Sequence, residues 1–221
     1  MTLTALFAIL RKEFRVEFRS RSGFFAAGLF AVMAVFAISA ASFNSKLPGN
    51  LASGLVWVSL LFGSVIAVPR RFLQEEELRT ADLLRLAAHP NAVYWGKTLF
   101  AITETIAYGT VVSVLFFLLT SAKLVDPGLY CLGVLGTSIC MGSVISLCGA
   151  IASQSSNRTA LASAISLPLI VPIVFMGIAC LRVSMGEGLI PGGWRSGYGL
   201  VGYGIASLAI GPYLFAAVWK R

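Results

Sequence analysis

Charge is scarce in this chain. Of its 221 residues only 12 % are Asp, Glu, Lys or Arg, and acids are rarest, nine against seventeen bases. With 57 % hydrophobic residues and a mean hydropathy of +0.86 there is too little polar surface to cover a soluble domain. A polytopic membrane protein is expected. The net charge of +8 does not point to nucleic acid, because the basic residues flank apolar runs and form no separate tail or stripe.

Histidine occurs once, as His89, so the chain cannot by itself hold haem iron through two histidines, and it has no CxxCH. The four cysteines, Cys131, Cys140, Cys148 and Cys180, lie in apolar segments without CxxC or ligand spacing. They read as small core residues, not as a disulfide or zinc framework. GxSxG and HExxH are missing, so no hydrolase constellation is visible and no catalytic residue or metal site is assigned. Gly96-Lys97-Thr98 resembles the end of a phosphate-binding loop, but Asn91 stands where that loop needs its first glycine. An energy source, if one is used, is expected in another subunit.

What the sequence does have is long apolar runs. Six spans are expected, Gly23 to Phe43, Leu51 to Pro69, Thr98 to Ser121, Leu129 to Ala152, Thr159 to Leu181 and Gly197 to Trp219. Each is near the ~20 residues that cross ~30 Å of hydrocarbon as a helix, the form that satisfies the backbone in lipid. The first exceeds the roughly 7 to 15 apolar residues of a signal peptide, so a retained span is expected. Before it, residues 1–20 set Leu3, Phe7, Leu10, Phe14 and Phe18 beside a row of Arg11, Arg15 and Arg19. That spacing predicts an amphipathic helix on the membrane surface, its basic face towards anionic headgroups. A solvated helix is the alternative. The segment Arg182 to Ser196, rich in glycine, reads as an interfacial turn or shallow re-entrant piece, or as a plain loop.

Counting Lys and Arg in the connections puts thirteen on the N-terminal side and four on the other, which places both termini in the cytoplasm. The cytoplasmic loop 70–97 then contains Phe72 to Pro90, with four of the nine carboxylates in a strongly helix-forming sequence. It reads as the element through which a soluble partner drives the membrane part. Arg70 and Arg71 would anchor it, Glu75, Glu76, Glu77 and Asp82 present charge, and Leu78, Leu83, Leu84 and Leu86 supply apolar contact.

Three signals lie inside the spans. Ser138, Gly142, Ser146 and Ala150 recur every four residues, a small-residue face on which two helices can approach closely, within the chain or between copies. Pro168 and Pro172 predict a kink whose freed carbonyls line a pathway or are satisfied by a neighbour. Glu104 is the one ionisable residue well inside a span. It is a functional candidate, or a shallow residue reaching the interface or pairing with Lys97.

An N-terminal interfacial helix, six spans and a charged loop after the second resemble the membrane subunit of a type-2 ABC exporter. That family's loop pattern is met by Glu75, Thr80, Asp82, Leu84 and Pro90, with Arg79 where glycine is usual. The start LRKEFRVEFRSR, the run GLVWVSLLFGSVIAVPRRF from Gly54 to Phe72, and Leu167-Pro168-Leu169 followed by Pro172 and Phe175 are similar to one branch, the haem exporter protein B (CcmB) family of bacterial cytochrome c maturation. The resemblance implies an inner-membrane permease that works as a pair of copies with ATP-binding subunits, which use the ATP, and with other cytochrome c maturation proteins. It implies haem export or ATP-driven release of a haem-loaded chaperone, with Phe72 and Thr80 joining the contact residues. No cofactor is expected to be bound by the chain, haem being cargo at most. A type-2 exporter permease for another lipid, drug or polymer, and a non-transporting scaffold, are the other readings.

Overall fold

The computed structural model describes residues 3–20, 22–42, 47–67, 84, 86–152 and 158–219. Among them are seven helices and no strand: α1 (Leu3–Ser20), α2 (Ser22–Ala41), α3 (Gly49–Ala67), α4 (Pro90–Leu119), α5 (Pro127–Ala152), α6 (Arg158–Ser184) and α7 (Ile190–Trp219). Five stretches are long and apolar enough to cross a membrane: Gly49–Ile66, Pro90–Leu119, Pro127–Ala152, Ala164–Ser184 and Ile190–Ala217. The expected first span falls on α2, whose described apolar stretch Phe25–Ala41 is shorter.

Two helices start earlier than the hydropathy pattern suggests. Helix α4 begins at Pro90, eight residues before the expected third span, so the charged loop ends at His89. The His89 side chain accepts the Asn91 N–H at 3.3 Å, and Pro90 occupies the first turn, where its missing N–H costs no helical bond. Helix α7 begins at Ile190, so most of the glycine-rich segment read as a turn is helical. The turn itself is confined to 185–189. Gly186 and Gly188 take φ of +92° and +106°, and the N–H of Glu187 returns to the carbonyl of Arg182 at 3.1 Å, closing the end of α6. Glycine persists inside α7 because helices crowd it: a Cβ on Gly193 would lie 2.7 Å from both Leu129 and Val183 side chains.

Helix α5 is the buried column of the bundle, with α4, α6 and α7 packed round it. Lipid removes most of the hydrophobic drive for helices to associate, so close backbone approach and hydroxyl bonds hold the seam instead. The row Ser138, Gly142, Ser146 and Ala150 lies against α4 of the same chain. Thr105 Oγ1 donates to the Ser138 carbonyl at 2.9 Å and Ser138 Oγ donates back to the Thr105 carbonyl at 3.3 Å. Thr98 Oγ1 donates to Ser146 Oγ at 3.4 Å, and between these bonds a Cβ on Gly142 would sit 2.9 Å from the backbone of Ile102. Ala150 belongs to a separate apolar cluster with Ile9, Ala92, Val93 and Tyr94.

Three of the four cysteines are buried, as small core residues should be, but Cys131 is exposed. It sits on the outward side of α5's first turns, a facing that composition alone does not reveal. Cys140 and Cys180 donate to the carbonyls of Leu200 and Leu129 at 3.2 and 3.4 Å, serving as weak interhelical bonds.

Candidate functional site

Helix α1 has three faces. Leu6, Ile9 and Glu13 are buried, Phe7 and Phe18 are exposed, and Arg11, Arg15 and Arg19 follow round the cylinder, also exposed. The face turned inwards is therefore displaced from the phenylalanine stripe that the spacing emphasised. It docks on the first turns of α4. A Cβ on Gly96 would meet Ile9 at 2.7 Å, so glycine is what lets α1 approach there. One turn further on, Lys97 Nζ lies 3.3 Å from Glu13 Oε1, with both side chains almost wholly enclosed. Phe14 then meets Phe100 edge to face at 4.6 Å.

The same end of the molecule holds a second apolar core, distinct from the main one. Ile9 of α1, Ala92, Val93 and Tyr94 of α4, Leu147 and Ala150 of α5, and Phe215 and Trp219 of α7 form it. Leu84 and Ala88, near the end of the charged segment, are half-buried against this core, and the Ala88 N–H donates to the Leu84 carbonyl at 3.0 Å. A single helical turn thus sets the segment against a core shared by α4, α1 and the last turns of α5 and α7. Leu86 points the other way and is exposed. Arg70, Arg71, Phe72, Glu75, Glu76, Glu77, Leu78, Thr80, Asp82 and Leu83 lie outside the described residues.

Glu104 is buried on the side of α4 turned to α1 and α2, where it lines a cavity with Phe14, Glu17 and Phe25. Among the described residues no three of His, Cys, Asp and Glu come together as metal ligands would. Residues 4–220 match the family model described as CcmB protein. The chain belongs to the CcmB family. A curated relative is Heme exporter protein B of Bradyrhizobium diazoefficiens, 25 % identical over 226 residues, with 97 % of each chain covered.

In this CcmB-family chain the proline segment of α6 that carried the resemblance faces outwards. Leu167, Pro168, Val171, Pro172 and Phe175 are all exposed on α6, which runs unbroken past both prolines. Between them the Leu169 carbonyl accepts the Tyr203 hydroxyl of α7 at 2.8 Å, so a neighbouring helix braces this stretch. Trp57 of α3 is buried against Gly177 of α6, where a Cβ on Gly177 would overlap the indole.

The Glu13–Lys97 pair is the feature that reading the sequence missed. Its signal was faint but present: Glu13 continues the Leu6–Ile9 row of α1, and an acid on an otherwise apolar row needs a partner. Which base supplies it, eighty-four residues away, is not written in any local spacing.

Proposed function

We propose that the chain is the membrane permease subunit of an ABC transporter acting in cytochrome c maturation, driven by a separate ATP-hydrolysing subunit. The observation that carries this reading is the family match over nearly the whole chain, residues 4–220. The packing of Leu84 and Ala88 onto a core shared by four helices supports the charged segment as the element that receives the stroke. The reading has six spans, α2 included, with α1 in the interface and both termini in the cytoplasm of a bacterial inner membrane. The thirteen-to-four bias of Lys and Arg supports that orientation. A second copy of the chain and the haem-handling maturation proteins complete the assembly.

Purifying the tagged chain in mild detergent is expected to bring an ATPase subunit with it; recovery of the chain alone would count against the proposal. Changing Glu75, Glu76 and Glu77 together to Ala should weaken that association about tenfold, at roughly 0.5 kcal/mol per exposed pair. An unchanged complex would make those carboxylates a merely solvated face. Glu104→Gln is expected to impair cytochrome c maturation while leaving membrane insertion intact, as measured by covalently haem-bound cytochrome against the amount of inserted chain.

A further inference from the structure

Where α3, α5 and α6 cross, two polar atoms come together without a bond. Trp57 of α3 and Thr137 of α5 are 2 % and 1 % exposed, and both front Gly177 of α6. A Cβ on that glycine would overlap the indole Nε1 of Trp57 and stand 2.9 Å from Thr137 Oγ1. Among the described residues neither atom has a hydrogen-bond partner. Other polar groups of the same helices are satisfied. Ser59 Oγ of α3 donates to the Leu55 carbonyl at 2.9 Å, Ser143 Oγ of α5 to the Cys140 carbonyl at 3.0 Å, and Cys180 Sγ of α6 to the Leu129 carbonyl at 3.4 Å. A helical threonine can return its hydroxyl to its own backbone, as Thr105 does to Ala101 and Ile102. Thr137 does not, so its hydroxyl is turned out of its own helix, towards the glycine that the indole also meets. The crossing is deep, with Trp57 at the middle of α3 and Gly177 within the apolar stretch Ala164–Ser184. Tryptophan otherwise favours the membrane surface, where its N–H meets water, and a polar group stranded at depth costs free energy.

We propose that this crossing binds one water molecule, held between Trp57 Nε1 and Thr137 Oγ1. The site goes beyond the permease reading and does not depend on it. The indole N–H can only donate, whereas the hydroxyl donates or accepts. Water accepts from the first and either gives to or takes from the second, so the smallest of ligands satisfies both. Buried waters hold about two to four such bonds, and this pair supplies two. An anion would bring a full charge into the apolar interior with two neutral groups to meet it, and a cation would face the indole N–H. Any side chain at 177 would displace the indole, so glycine is what keeps the N–H beside the hydroxyl. Whereas α4 and α5 are joined by direct hydroxyl bonds, α3 is thereby joined to α5 through solvent.

The test uses the full chain in nanodiscs, its tryptophan indoles labelled with the heavy nitrogen isotope for magnetic resonance. The chain has four tryptophans, and the indole signal missing from Trp57→Phe is that of Trp57. In wild type that signal is expected to show a cross-peak at the water frequency in spite of its burial. Thr137→Val removes the hydroxyl and keeps the shape, and should weaken the cross-peak about fivefold, the equilibrium worth of one ordinary hydrogen bond. It should also lower the midpoint of thermal unfolding, because the bridge loses an anchor. A hydroxyl that bonded nothing would be better replaced by a methyl, so a raised midpoint overturns the assignment. So does a wild-type signal without the water cross-peak, whether the indole meets no partner or meets the hydroxyl directly and shows a cross-peak at the hydroxyl's own frequency. A water cross-peak as strong in Thr137→Val as in wild type overturns it as well. Should Thr137→Val fail to fold, Thr137→Ser keeps the hydroxyl and is expected to retain the cross-peak, its loss there counting against the site. Recovery of the chain without an ATPase has no bearing on these readouts, so the two proposals fail separately.

Discussion

Lys97→Met is expected to lower the stability of the folded chain by about 3–5 kcal/mol, because it removes the enclosed ammonium that faces Glu13 and leaves that carboxylate buried. The side chains of Lys97 and Glu13 are 1 % and 5 % exposed, so water does not replace the lost partner. Lys12 also reaches Glu13, at 3.4 Å, but its side chain is 43 % exposed and its charge is correspondingly screened. The consequence should reach beyond stability. Lys97 is one of the points at which α1 is fastened to α4, one turn from the core against which Leu84 and Ala88 pack. Loosened there, α1 should become accessible to protease while the spans remain inserted. The accompanying double variant, Glu13→Leu/Lys97→Met, removes both charges and should come back to within about 1 kcal/mol of wild type, since apolar replacement of a whole buried pair is often neutral. Denaturation in mixed micelles and limited proteolysis measure the two effects. A single variant as stable as wild type would show that the pair contributes nothing.

Gly142→Leu should prevent the bundle from forming at all, with the chain degraded and not accumulating. A Cβ at Gly142 would stand 2.9 Å from the Cα and N of Ile102, and backbone atoms cannot turn away as a side chain would. The helices would have to separate, breaking the reciprocal Thr105–Ser138 bonds and the Thr98–Ser146 bond on either side. Gly142→Ala already meets the same backbone and should cost about 1–3 kcal/mol, the range for overpacking a filled core. Gly202 is the control. A Cβ there meets nothing within 4 Å, so Gly202→Leu should accumulate normally. Steady-state abundance in membranes decides the matter, and normal accumulation of Gly142→Leu would mean that α4 and α5 do not touch as described.

These two positions mark opposite limits of what could be read from the chain. Gly142 stood out because small residues recur every four positions in α5, and four is close to the helical repeat, so the row had to share one face. The partner of that face, α4, could not be inferred from the same spacing. Lys97 stood out only as a possible partner of Glu104, not of Glu13, because it was counted with the loop. His89 and Pro90 begin α4 early, and what looked like the end of a connection is the first two turns of a helix. The family likeness was legible from the first helix, the second span and the proline segment of the fifth, each a contiguous run. Glu104 was singled out by the cost of a carboxylate in an apolar span, yet the phenyl-lined cavity beside it needs three helices to exist.

Helix content, membrane residence and the absence of nucleotide-binding and hydrolytic motifs were decided by the sequence alone, since composition, run length and local spacing are properties of contiguous residues. The tertiary structure alone decided which way each span turns. Helices such as α5 and α6 are apolar on every side, so in lipid no polar face tells inside from outside. Their rotation is settled by where glycines admit a neighbour and hydroxyls find a carbonyl. That is why Gly142 faces α4, Pro168 and Pro172 face outwards, and Glu13 meets Lys97.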